Sequence, residues 1–222
     1  MYAHSSRYGS FLEEINQIEN YSTNLSWCIL LSTCARTSRS DDKRVEYYNR
    51  TIKEWIDTTS LPIFVIESSL YDFPDLPIEY KTNPRLHLAT FDLSQPLAST
   101  SQYEARSILY ALDHWKEEME SYTHVLKVTG RYVIPYIDSI LEKVPDVDMI
   151  FQHHHTEKSY NTEIIGFRKT LIKEMIEPII DLGLIEYHVA SISKFYSWHR
   201  IDPVPNKYHV PRGGDGLVVD PL

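Results

Sequence analysis

Short apolar runs that alternate with stretches of helical periodicity constrain this chain more than any other feature. They are "LSWCILLSTCA" (25–35), "LPIFVIESS" (61–69), "RLHLATFDL" (85–93), "VLKVTGRYVIP" (125–135), "DMIFQH" (148–153) and "EIIGF" (163–167). Apolar runs this short, bounded by polar residues, are the signature of strands buried on both faces. Between the first two, Val45, Tyr48, Ile52, Trp55 and Ile56 form an apolar stripe at helical spacing, behind Asp41 and Asp42. "STSQYEARSILYALDHW" (99–115) opens on helix-capping residues and places Ile108, Leu109, Leu112 and Trp115 on one face. Helices are also expected from about Tyr136 to Lys143, over "RKTLIKEMIEPII", and from near Leu184. Residues 1–24 read as a short helix and loop, and the Pro- and Gly-rich tail from Trp198 as an ordered loop.

Strands alternating with helices specify an α/β three-layer sandwich, with a mostly parallel central sheet and helices on both faces. No repeat or linker divides the chain, so residues 1–222 are expected to form one domain. In such sheets ligands bind outside the carboxyl ends of the strands. The polar residues at those ends are Thr33, Arg36, Glu67, Ser68, Thr129 and Arg131.

A net charge of −9 opposes binding to a nucleic-acid backbone, so no nucleic-acid partner is expected. An anionic ligand must then be met by a local basic pocket, for which Lys127, Arg131 and Arg212 are best placed. Arg131 follows Gly130 at a strand end, where backbone can approach a ligand closely and a guanidinium can grip a phosphate with two hydrogen bonds. No run approaches the ~20 apolar residues of a membrane span. The polar N-terminus and the two unbridgeable cysteines, Cys28 and Cys34, indicate a reducing, cytoplasmic setting.

Other motifs carry less. "PRGGDG" (211–216) lacks Walker spacing and opens no helix, and the three histidines at 153–155 lack the helical spacing or cysteine partners of a zinc site. "DVD" (146–148) precedes a strand, at the wrong end of the sheet for a ligand, and reads as a turn. The absence of G-x-S-x-G, Walker and G-x-G-x-x-G motifs disfavours hydrolases, kinases and dinucleotide enzymes.

"LKVTGRYVIP" resembles the Lys-x-Thr-Gly-Arg-Tyr block of small GT-A-type glycosyltransferases of large DNA viruses and bacteria. "YEARSILYAL", "NTEIIGFRKTL" and "RGGDG" are similar to the segments around that block, so the resemblance spans roughly residues 25–216. It implies a GT-A-like fold and transfer of a sugar from a UDP- or GDP-sugar to a glycan hydroxyl. It also implies that the end of the first strand, Thr33, Cys34, Ala35 and Arg36, holds the nucleotide base. Glu67 and Ser68 would contact base or ribose, and Lys127, Thr129, Gly130, Arg131, Arg212 and Gly213 the diphosphate side.

The chain departs from the family pattern at the metal. Thr129-Gly130-Arg131 stands where most GT-A enzymes carry the Asp-x-Asp pair that binds manganese. The resemblance leaves room for a divalent Mn or Mg ion, but the basic residues can neutralise the leaving diphosphate themselves. Inverting transfer also needs a carboxylate base near the acceptor hydroxyl, for which Glu186 is the first candidate and Glu163 its rival. Two alternatives stand beside this reading. One is a sugar nucleotidyltransferase, whose first loop is expected to be glycine-rich, whereas "TCARTSRSDDKR" has no glycine. The other is a non-catalytic nucleotide-sugar or glycan-binding module.

Overall fold

A computed structural model of the chain describes residues 25–35, 42–93, 97–152 and 161–201. Arg36, Arg212, Gly213 and the histidines at 153–155 lie outside the described residues, as does the N-terminal helix expected within 1–24. The strands are β1 (Trp27–Thr33), β2 (Ile63–Glu67), β3 (Leu86–Thr90), β4 (His124–Thr129), β5 (Met149–Gln152), β6 (Asn161–Arg168) and β7 (Trp198–Ile201). They form one seven-stranded sheet in the order β3-β2-β1-β4-β6-β5-β7. The helices are α1 (Asp42–Thr58), α2 (Ile78–Lys81), α3 (Thr100–His114), α4 (Ile137–Leu141), α5 (Lys169–Ile176), α6 (Ile179–Leu182) and α7 (Ile185–Ile192).

Side-chain alternation splits each inner strand between two cores, which produces the three layers. Ile29, Leu31, Val65, Leu126 and Val128 meet Tyr48, Ile52 and Trp55 of α1 on one face. Cys28, Leu30, Phe64, Ile66, Val125 and Ile165 meet Ile108 of α3, Ile172 of α5 and Val189 of α7 on the other. Ile52 and Trp55 are fully buried, and each such side chain contributes about 2 kcal/mol through the area it removes from water. The expected α/β architecture with a mostly parallel sheet is what forms.

β6 runs antiparallel to both β4 and β5. Gln152 and Asn161 are joined by residues 153–160, too short a link for the crossover of a dozen or more residues that parallel pairing needs. The tail differs from its expected loop character, because Trp198–Ile201 pairs parallel with β5 and the Trp198 ring stacks 5.0 Å from that of Phe151. "RKTLIKEMIEPII" is two helices, not one: α5 ends at Ile176 and α6 starts after Pro178, whose ring and missing N–H interrupt the ladder. The fourth strand stops at Thr129. Beyond it Val133 and Ile134 turn into the core beside α1, where the Trp55 indole donates to the Tyr132 carbonyl at 2.9 Å.

α3 begins with a capping box in which Ser99 and Gln102 satisfy each other's backbone N–H groups. Its end lies by the start of β2, with Trp115 edge-on to Phe64 at 5.3 Å. Its first turns lie by the ends of β1 and β4, where Glu104 reaches Ser32 and Thr129. The helix therefore runs against the parallel strands and brings its N-terminal half to their carboxyl edge. At the opposite edge Asp146 and Asp148 hold Arg168 at 2.6 and 3.0 Å, so "DVD" is the structural turn its position indicated. Neither Cys28 nor Cys34 forms a disulfide among the described residues, and burial pushes the Cys28 thiol up to about 12.

His124, at the start of β4, is buried against the Trp27 ring with Nε2 2.8 Å from the Val147 carbonyl. Burial lowers its pKa below the usual 6.5, against the opposing pull of that carbonyl and of Asp146 and Asp148. The folded chain then binds this proton less readily than the unfolded chain. Its contribution to stability is complete above the unfolded pKa and is lost as pH falls through that value toward the folded one. Urea unfolding should show stability declining from roughly pH 7.5 to 5.5, and His124→Gln should flatten that decline. An equal slope in the variant would assign the pH dependence to other groups.

Candidate active site

β1, β2 and β4 end side by side at Thr33, Glu67 and Thr129, so the loops that follow them share one edge of the sheet. What holds these loops is a buried carboxylate. Glu67 has no solvent exposure, yet it accepts from the Ala35 N–H at 2.8 Å, the Ser69 N–H at 2.8 Å, the Tyr71 N–H at 2.7 Å and the Ser69 hydroxyl at 2.5 Å. One charged group thus ties the loop after β1 to the loop after β2. The latter contains Leu70 and Phe73 at φ 59° and 52°, left-handed values that bulky residues adopt only when their surroundings impose them.

Thr33 and Ser68 are buried with their hydroxyls engaged inside the fold. Thr33 donates to the Ile66 carbonyl at 3.1 Å and Ser68 to the Thr33 carbonyl at 3.2 Å. Thr33, Glu67 and Ser68 therefore shape the floor of the edge, beneath the loop that carries Cys34 and Ala35. The Cys34 N–H donates to the Tyr48 hydroxyl at 3.3 Å, and its carbonyl takes up Arg44 at 3.5 Å.

Tyr48 joins this loop to β4. Its ring lies beside Gly130, where a Cβ would run into the Thr33 side chain and come within 3.0 Å of the Ser32 carbonyl. Glycine here is a packing requirement of two strand ends that approach closely. Burial pushes the Tyr48 hydroxyl's pKa up, while the nearby charges of Arg44 and Arg131 act in the opposite sense. Two guanidiniums from different elements are thus near one phenol at the junction of β1 and β4. The apolar stripe that marks α1 contains Tyr48 but gives no sign that Arg44, one turn earlier, belongs to the edge. Only the loop's return over α1 shows it.

On the other face of the sheet lies a polar group of a different kind. Lys127 has no solvent exposure and its ammonium is 2.5 Å from Glu104 Oε1. It also donates to the Thr129 hydroxyl at 3.3 Å, and both Ser32 (3.0 Å) and Thr129 (3.4 Å) donate to the same Glu104 oxygen. The structure places Lys127 beneath the edge, with its charge answered by Glu104. That carboxylate was not among the residues the sequence singled out.

The two candidate bases come to this same face. Val128 pairs with Ile164, so Glu163 stands one step further on, beside Thr129. Glu186 lies in the first turn of α7, behind Gly183 at φ 78°. The Ser99 hydroxyl donates to the Gly183 carbonyl at 2.6 Å and the Gln102 amide to the Ile180 carbonyl at 2.6 Å, fastening this turn onto the N-terminus of α3. The carboxyl edge therefore has a basic side next to α1 and a carboxylate side next to α3 and α7.

No family model and no curated protein sequence matches the chain. Solved structures do resemble it. A nucleotide-diphospho-sugar transferase from Desulfovibrio desulfuricans G20 is similar with a TM-score of 0.51 at 15% identity, over 80% of this chain and 80% of that one. A mannosyltransferase from Pyrobaculum calidifontis, in complex with GDP-Man and Mn2+, gives 0.51 at 11% identity, over 91% of this chain and 65% of that one. A cytidylyltransferase from Leptospira borgpetersenii gives 0.48 at 11% identity, over 80% and 76% of the two chains. At such identities the likeness is one of fold. The chain has the GT-A-like α/β fold of nucleotide-diphospho-sugar transferases, as the resemblance implied.

The Glu67 arrangement has a measurable consequence. Glu67→Gln replaces one accepting oxygen by an amide group that faces N–H donors, leaving buried groups unpaired. It should destabilise the protein by roughly 2–4 kcal/mol in urea unfolding. A loss below about 1 kcal/mol would mean that the two loops are held by other contacts.

Proposed function

We propose that the protein is a glycosyltransferase that moves a sugar from a UDP- or GDP-sugar to the hydroxyl of a glycan acceptor. The observation that carries this reading is the polarity of the carboxyl edge, with Arg44 and Arg131 near Tyr48 on one side and Glu163 and Glu186 on the other. A nucleotide sugar has the matching polarity, an anionic diphosphate at one end and a neutral, hydroxyl-rich ring at the other.

In this reading the base and ribose lie over the backbone of Cys34 and Ala35, with Arg36 in the same loop. The diphosphate lies against Arg131 and Arg44. The acceptor hydroxyl oxygen attacks the anomeric carbon, the bond from that carbon to the diphosphate oxygen breaks, and the hydroxyl proton passes to Glu186. The arginines counter the charge that grows on the departing diphosphate, which is where electrostatic stabilisation acts most strongly. Should a divalent ion take part, it would bind at this diphosphate. Glu186 is favoured over Glu163 because it stands in the first turn of α7, behind the Gly183 turn that Ser99 and Gln102 fasten to the start of α3.

Binding and turnover test separate parts of this. Calorimetric titration with UDP- and GDP-sugars in excess EDTA should show binding, and Arg131→Ala should weaken it about tenfold or more, as loss of a charge-assisted bidentate contact does. Unchanged affinity in a folded variant would remove Arg131 from the site. Glu186→Gln should reduce turnover by roughly two to four orders of magnitude with donor affinity nearly unchanged. If Glu163→Gln has that effect instead, the two residues exchange roles. Pyrophosphate release from a nucleoside triphosphate and a sugar phosphate would favour the nucleotidyltransferase alternative.

A further inference from the structure

Every polar contact that Glu104 makes among the described residues converges on one of its two oxygens. Oε1 receives the Lys127 ammonium at 2.5 Å, the Ser32 hydroxyl at 3.0 Å and the Thr129 hydroxyl at 3.4 Å. Oε2 accepts no hydrogen bond from a described residue, and it is not among the buried atoms left without a partner. The side chain as a whole is 20% exposed, while Lys127 beneath it is fully enclosed. The half of the carboxylate that meets solvent therefore does so at the strand ends, between Thr129 and the first turns of α3. Anchored through Oε1 by three groups from β1 and β4, it has little freedom to turn away, and such preorganisation favours recognition of a ligand.

The chemistry of the oxygen narrows the ligand. A carboxylate oxygen only accepts, so it repels phosphate and calls for a hydroxyl or a cation. The ammonium on the partner oxygen already balances the charge and would itself repel a metal ion. A neutral hydroxyl is what remains, and it gains a charge-assisted hydrogen bond. Resting on the glycosyltransferase reading, we infer that Glu104 is a specificity residue whose Oε2 accepts a hydrogen bond from a hydroxyl of the transferred sugar. Lys127 is the positioning residue that holds this carboxylate at the edge. On this assignment the pair distinguishes a nucleotide sugar from the nucleotide alone, because the hydroxyl that Oε2 receives belongs to the sugar.

The test is the ratio of two affinities. Dissociation constants are measured by calorimetry for UDP, GDP, UDP-glucose, UDP-galactose, UDP-N-acetylglucosamine and GDP-mannose. Glu104→Gln is compared with the double variant Glu104→Gln/Lys127→Met, which removes both charges and so avoids leaving a buried ammonium unpaired. For the sugar nucleotide that the unaltered protein binds best, both variants should reduce its preference over the parent diphosphate by about tenfold or more, with the affinity for the diphosphate itself within about twofold. Equal weakening of diphosphate and sugar nucleotide, or an unchanged ratio in the double variant, would overturn the assignment and leave the pair a purely structural one. If the unaltered protein binds none of these compounds, the transferase reading falls and this assignment with it, a result visible before any substitution is made.

Discussion

Lys127 is a charged side chain in the middle of a central strand, with no exposure to solvent, and much of the active edge follows from what it requires. An ammonium enclosed by the sheet is tolerable only with a close anionic partner and further hydrogen bonds. Glu104 supplies the partner from α3, Thr129 accepts a hydrogen bond from the ammonium, and Ser32 in turn donates to Glu104. The pair thus fixes the first turns of α3 against the ends of β1 and β4. Ser99 and Gln102 of that same helix end hold the turn that carries Glu186. A contact beneath the surface in this way determines where a carboxylate above it can stand.

Glu67 does the corresponding work on the opposite side of the edge. It faces the α1 layer, and the loops it holds carry the backbone of Ala35 on one side and the strained segment 69–73 on the other. Two carboxylates, the buried Glu67 and the partly exposed Glu104, each receiving several donors, therefore frame the strand ends from both faces. Some of their bonds join elements far apart in the chain, Ala35 to Glu67 and Ser32 to Glu104.

Much of the fold was legible because burial leaves a local trace. Apolar runs marked the strands, a stripe of Tyr48, Ile52 and Trp55 marked α1, and the Ser99 cap marked the start of α3. The polarity of β6 is set by the length of the link before it, which the apolar pattern of "EIIGF" does not encode. β7 escaped notice because four residues with an exposed tryptophan at an edge need no apolar run. The edge itself was placed correctly, since Thr33, Glu67 and Thr129 do end adjacent strands. Their functions within it were not legible. Whether a buried charge meets a ligand or another side chain depends on partners distant in the chain, such as Glu104 for Lys127 and Ala35 for Glu67, and no spacing rule reports those pairs. Arg44 and Glu104 sit on helices whose apolar stripes gave no reason to single them out.

The central claim is that an anionic nucleotide end and a neutral sugar end are bound across the carboxyl edge between β1 and β4. The most direct measurement is a crystal structure of the protein with the nucleotide sugar that binds it best. The account expects the diphosphate within hydrogen-bond distance of Arg131, the base over the Cys34–Ala35 backbone, and the sugar ring on the side of α3 and α7. A ligand at the opposite edge near Asp146 and Arg168, or one at the carboxyl edge with the diphosphate beside Glu104 and Glu163, would contradict it.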